Sequence, residues 1–157
     1  MKIKLVLVGR TVEKYLSQGI DLYLGRIRHY ASFELVELPD LKQTASLSES
    51  QVKQREGEMI LKCLKTSDRV VLLDEKGKMF TSLEWARDLE SKSAHLQGDL
   101  VFVIGGPYGF SEAVYGRSDE KISLSKMTFS HQMVRLVFLE QLYRAFTIIK
   151  GEPYHHE

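Results

Sequence analysis

Cysteine is almost absent from this chain: Cys63 is the only one in 157 residues, so no internal disulfide can form and an apolar core must hold the fold. Leu61 and Leu64 flank it in a helical pattern, where packing is the expected use of the thiol. Prolines number only three and glycines eleven, which excludes a collagen-like chain. No apolar run approaches the roughly 20 residues of a membrane span. Ile3 to Val8 reads as a strand at once, with no basic leader or small-residue cleavage site before it, so a cytoplasmic location is expected. The net charge of +1 excludes a global polycation. The first thirty residues nevertheless carry six Lys and Arg against two acids, an asymmetry suited to nucleic acid or to a merely solvated face.

Several chemistries are missing as well. The turn after the first strand, Val8-Gly9-Arg10-Thr11-Val12, has one glycine where a dinucleotide-binding fold needs G-x-G-x-x-G. No Walker sequence, G-x-S-x-G elbow or H-E-x-x-H is present, which removes P-loop phosphate chemistry, serine hydrolysis and zinc proteolysis. His29, His95, His131, His155 and His156 lack metal-ligand spacing, and no metal is expected.

What is present is 43% hydrophobic residues in a regular order, enough for one domain over residues 1–157. Apolar runs at Ile3–Val8, Phe33–Leu38, Val70–Leu73 and Leu100–Ile104 alternate with segments of helical spacing. Three of the runs are continuous, the mark of strands buried on both faces, so an α/β sandwich on a mostly parallel sheet is expected. Leu16, Ile20, Tyr23, Leu24 and Ile27 share one face of the first helix, with Tyr15 and Tyr30 extending it. Ser48 with Gln51 and Thr81 with Glu84 have the spacing of capping boxes that start the second and third helices. The last helix, about Ser130 to Ile149, is apolar around its whole circumference. In a chain this small its surplus face is expected to meet a second subunit, the alternative being a central core helix.

The chemistry concentrates in Ile104-Gly-Gly-Pro-Tyr-Gly-Phe110, which follows a buried run, and in the downstream turn Leu124-Ser-Lys-Met-Thr-Phe129. Glycines at 105, 106 and 109 suit a loop that approaches a ligand through its main chain, and equally a tight strand-to-helix turn.

Leu72-Leu-Asp-Glu-Lys-Gly77, Phe102 to Gly109, Ile122 to His131, Arg135, Leu142 to Ala145 and the terminal Pro153-Tyr-His-His-Glu157 together resemble, in order and spacing, the RlmH family of SPOUT-class ribosomal RNA methyltransferases. The resemblance spans the whole chain. It implies a SPOUT-type α/β/α sandwich with a C-terminal trefoil knot, a homodimer, and S-adenosyl-L-methionine as methyl donor. The implied substrate is a pseudouridine of 23S rRNA, methylated at N3 in the assembled ribosome. By resemblance, Leu73, Gly105, Gly106, Leu124, Ser125, Lys126, Met127, Thr128 and Phe129 hold the donor. The acceptor side falls to Tyr154 and His155 on the tail, with Arg144 and Arg135 as phosphate clamps or stabilisers of the developing imidate. Arg144 also stands four residues after Glu140, the spacing of an ordinary helix ion pair. His131 is a donor-site or RNA-facing candidate. One departure is Ser130, where the family often has proline; serine can cap the helix that follows. A catalytically silent ribosome-binding factor on the same fold, and a nucleotide-binding oxidoreductase, are the rival readings.

Overall fold

The computed structural model describes residues 1–156. Five strands, β1 (Lys2–Val8), β2 (Ser32–Leu38), β3 (Arg69–Met79), β4 (Leu100–Ile104) and β5 (Glu120–Ser123), form one sheet in the order β2-β1-β4-β3-β5. Every pairing is parallel. Helices α1 (Lys14–Ile27), α3 (Ser82–His95) and α5 (Met133–Ile149) cover one face, while α2 (Glu49–Lys62) and α4 (Glu112–Arg117) cover the other.

The continuous apolar runs have their expected cause. Ile3, Leu5 and Leu7 of β1 and Leu100, Phe102 and Ile104 of β4 face α1, α3 and α5, whereas Val6, Val8, Val101 and Val103 face α2 and α4. A strand with helices on both sides cannot alternate with polar residues. Trp85 of α3, Phe102 of β4 and Phe138 of α5 interlock across the first layer, with centroids 4.9 to 6.1 Å apart.

Both capping boxes form: Gln51 N–H donates to Ser48 Oγ at 3.2 Å and Glu84 N–H to Thr81 Oγ1 at 3.1 Å, each answered by the reciprocal side-chain bond. Such caps are worth about 1 kcal/mol each. Two elements escape the sequence reading. β5 has only four residues, two of them charged, and α4 has six; both are defined by what they pack against rather than by periodicity.

The last helix is flanked on two sides within its own domain. α5 lies between α1 and α3, and none of its residues is exposed, so this domain covers most of the apolar circumference itself. The surplus apolar surface stands elsewhere, at Val12, Tyr15 and Leu22 near α1 and at Tyr108, Met127 and Phe129. Tyr15, expected on the packed face, is 60% exposed, while Tyr30 stacks flat on Phe146 at 5.5 Å.

Candidate active site

β3 breaks its register with β5 between Leu73 and Lys78, and the four residues between bulge out beyond the strand. β4 ends at Ile104 and opens into the glycine loop; β5 ends at Ser123 and opens into Leu124 to Phe129. These three exits lie side by side at the C-terminal edge of the sheet, where open parallel sheets bind their ligands. They enclose a cavity of about 350 Å³, within the range of small-molecule sites.

Its walls include Leu73, Gly105, Gly106, Leu124, Ser125, Met127, Thr128 and Phe129, which is every residue expected at the donor site except Lys126. Lys126 is exposed and does not line the cavity. Apolar surface comes from Leu73, Ile104, Ile122 and Val134. The turn after β5 is self-supported: Ser123 Oγ donates to the Ser125 carbonyl at 2.9 Å, and Met127 N–H donates to Ser125 Oγ at 2.9 Å. On the opposite wall Asp74 accepts from Lys76 N–H at 2.8 Å and from the Tyr115 hydroxyl. Burial, aided by Asp74, pushes the Tyr115 phenol up to about 12.

The glycines stand in two different surroundings. Gly109 takes φ +85°, a left-handed conformation that closes the turn through its N–H on the Gly106 carbonyl at 3.2 Å. At Gly105 and Gly106 the constraint is packing. An added Cβ would stand 3.0 Å from the Phe110 ring at Gly105, and 2.6 and 2.7 Å from the two Glu56 carboxyl oxygens at Gly106.

His131 lines the cavity half-buried, and burial with Arg135 nearby lowers it from its ordinary value, which favours the neutral ring. Ser130 Oγ accepts from Met133 N–H at 3.0 Å, the cap expected in place of proline.

Arg135 does not stand as the phosphate clamp that was expected. It is fully buried, donating to the Val8 carbonyl at 2.8 Å, Thr11 Oγ1 at 3.0 Å and the His131 carbonyl at 3.2 Å. A guanidinium committed in this way is no phosphate clamp; it fastens the start of α5 to the loop after β1. Gln132 adds a reciprocal pair there, accepting from Val12 N–H at 2.9 Å and donating to the Arg10 carbonyl at 3.0 Å.

The remaining acceptor-side candidates gather at the other end of α5. Arg144 donates twice to Glu140 Oε1, at 2.6 and 3.1 Å, meets His155 Nδ1 at 3.0 Å and lies 4.8 Å over the Tyr154 ring. Tyr154 stands edge-on to Tyr143 at 4.7 Å, and its hydroxyl lies 3.4 Å from that of Tyr23. Burial first, then Tyr23 and Glu140, push the Tyr154 phenol up to about 12. Arg26 lies over both Tyr23 and Tyr143, at 5.2 and 5.4 Å. The tail is therefore docked on α1 and α5. Val134 lines the cavity and Arg144 follows ten residues later, roughly 15 Å along the helix at 1.5 Å per residue, so one chain does not bring tail and cavity together.

Sequence reasoning missed Glu56, although an acid between Val52 and Ile60 on the apolar stripe of α2 was a visible signal. It is 7% exposed, and burial with Asp40 nearby raises its carboxyl. Gln132 and the Asp74–Tyr115 pair left no such mark. Among the described residues no group of three or more His, Cys, Asp or Glu stands where it could hold a metal, and no helix is long and apolar enough to cross a membrane.

Fold and cavity define an α/β domain with a cavity of small-molecule size at the C-terminal edge of a parallel sheet. A family described as "Predicted SPOUT methyltransferase" matches residues 1–155. Over the full length of both chains the protein is 57% identical to ribosomal RNA large subunit methyltransferase H of Parabacteroides distasonis and 55% identical to that of Bacteroides fragilis. The enzyme of that name from Christiangramia forsetii is 58% identical over 99% of each chain. The chain belongs to the SPOUT methyltransferases and, within them, to the RlmH family. It is a methyltransferase, and a methyl donor is required.

Proposed function

We propose that the donor is S-adenosyl-L-methionine, bound in the cavity between the Gly105–Gly106 loop and the Leu124–Phe129 turn, and that the acceptor is N3 of a pseudouridine in 23S rRNA of the assembled ribosome. The observation that carries this reading is the convergence of eight of the nine expected donor residues on one 350 Å³ cavity in a member of a methyltransferase family. The relatives' names point to large-subunit ribosomal RNA. Leu73, Ile104 and Leu124 would bracket the adenine, and main-chain groups of the two turns would read its edge.

S-adenosylmethionine supplies an electrophilic methyl group, so the protein's task is alignment more than activation. Arg144, held against His155, would present its guanidinium where negative charge grows as N3 loses its proton to solvent. Tyr154 offers a ring for stacking. Its raised phenol remains protonated near neutrality and does not serve as the base.

The same proposal includes a homodimer in which the tail of one protomer faces the cavity of the other. Its support is the separation of tail from cavity along α5, together with the exposed apolar groups Tyr108, Met127 and Phe129 at the cavity. The domain spans residues 1–157 and carries the C-terminal trefoil knot of its class. The path of the chain favours that knot: after β5 at the sheet edge it returns past β3 and β4 to place Gln132 against the loop after β1.

Transfer of tritium from labelled S-adenosylmethionine into 70S particles, 50S subunits and free rRNA tests the reading. Label in 70S rRNA, at an N3-methylated pseudouridine, is expected; no incorporation into any of the three contradicts it.

A further inference from the structure

We propose that Glu56 is a positioning residue for methyl transfer, holding the Gly105–Gly106 loop from behind at the height where its main chain meets the donor. The inference rests on the reading of the cavity as the donor site. Glu56 does not line the cavity, whereas Gly106 does, and both carboxyl oxygens lie within 2.7 Å of the point where a Gly106 Cβ would stand. The carboxyl is therefore packed directly against the far side of the loop.

Three observations separate this group from ordinary core filling. Glu56 occupies the apolar stripe of α2, four residues from Val52 and four from Ile60, which are 6% and 1% exposed, at a place where an aliphatic side chain would serve stability. Its Oε1 is buried and has no hydrogen-bond partner. A buried polar atom without a partner destabilises the folded state, so stability alone gives no reason to have it there. Finally, the loop above it has little internal support: the main-chain pairing of Gly106 with Gly109 closes the turn, and Gly105 leans on the apolar ring of Phe110. Glu56 is the polar group placed to accept a main-chain N–H of that loop as it settles onto a ligand. The cost carried by the free form is then recovered in the bound form, which makes the carboxyl a determinant of affinity rather than of folding.

The test compares wild type, Glu56→Leu and Glu56→Gln by calorimetric titration with S-adenosylmethionine and by thermal unfolding. Glu56→Leu is expected to unfold at the wild-type temperature or higher, yet to bind the donor at least about tenfold more weakly, the loss of one polar contact. Glu56→Gln, which keeps an acceptor oxygen, is expected to stay within about threefold of wild type. Wild-type affinity in Glu56→Leu overturns the inference, as does a parallel fall of stability and affinity in both variants, which would make Glu56 a packing residue. If wild type itself binds no S-adenosylmethionine, the donor-site reading fails and this inference falls with it. Wild-type binding with unchanged Glu56→Leu binding sinks this inference alone.

Discussion

Arg144 meets the imidazole of His155 at Nδ1, 3.0 Å away, and a guanidinium can only donate, so Nδ1 is the acceptor of that bond. In this arrangement the Nδ1 lone pair is taken up by Arg144 and is not open to the proton of an acceptor base. The two residues act as one unit. Arg144→Ala is expected to lower turnover by about a hundredfold, the typical loss for one transition-state donor, and adding His155→Ala should cost little more. Turnover on 70S particles for the two single variants and the double variant checks this; independent, additive losses would separate their roles.

Removing residues 153–157 takes away Tyr154 and His155 without touching the cavity. Donor affinity is expected to stay within a few fold while transfer to ribosomes collapses. The lost Tyr143–Tyr154 edge contact should lower stability by only about 1 kcal/mol. Calorimetry alongside the transfer assay reads both, and a truncated protein at the wild-type rate would reduce the tail to a structural dock.

Arg135→Met should behave as a folding defect. Two of its three hydrogen bonds tie α5 to the end of β1 and the loop after it, and losing them with the Val8 carbonyl left buried without a donor should cost roughly 3 kcal/mol. Denaturant unfolding measures the loss. Unchanged stability with a collapse of turnover would instead return Arg135 to the acceptor side.

The raised phenols of Tyr115 and Tyr154 carry a pH signature. Each folded-state value stands near 12 against an unfolded 10, so the folded state holds the proton more tightly. That contribution is complete below about pH 10 and is lost as pH climbs toward 12. The stability difference between wild type and Tyr115→Phe should therefore shift against wild type across that interval. A difference constant from pH 9 to 12 would contradict the cause assigned to Tyr115.

The sheet was legible because β1 and β4 are buried on both faces and leave no room for polar residues, and α2 and α3 were legible because Ser48 and Thr81 cap them locally. β5 was not, since Glu120 to Ser123 becomes a strand only through pairing with β3. The cavity's lining followed from family motifs; the physical roles did not. Gly105 and Gly106 looked like room for a ligand, but Phe110 and Glu56, remote in sequence for Glu56, already stand against them. Arg135 and Arg144 look alike in a string of letters, and only the loop after β1 buries the first of them. That α1 and α3 would flank α5 is likewise not written in its sequence, which shows only an apolar circumference.

The central claim, that donor cavity and tail meet across two copies of the chain, is tested most directly by complementation. Gly106→Val, which collides with Glu56 in the donor loop, and a chain lacking residues 153–157 are each expected to be inactive on 70S particles. Co-expressed with two different tags and purified through both, they form mixed dimers with one intact cavity facing one intact tail. Such dimers should recover about half of the wild-type activity per dimer, one of two symmetric sites. No recovery in purified mixed dimers would mean that cavity and tail must belong to the same chain, and would contradict the account.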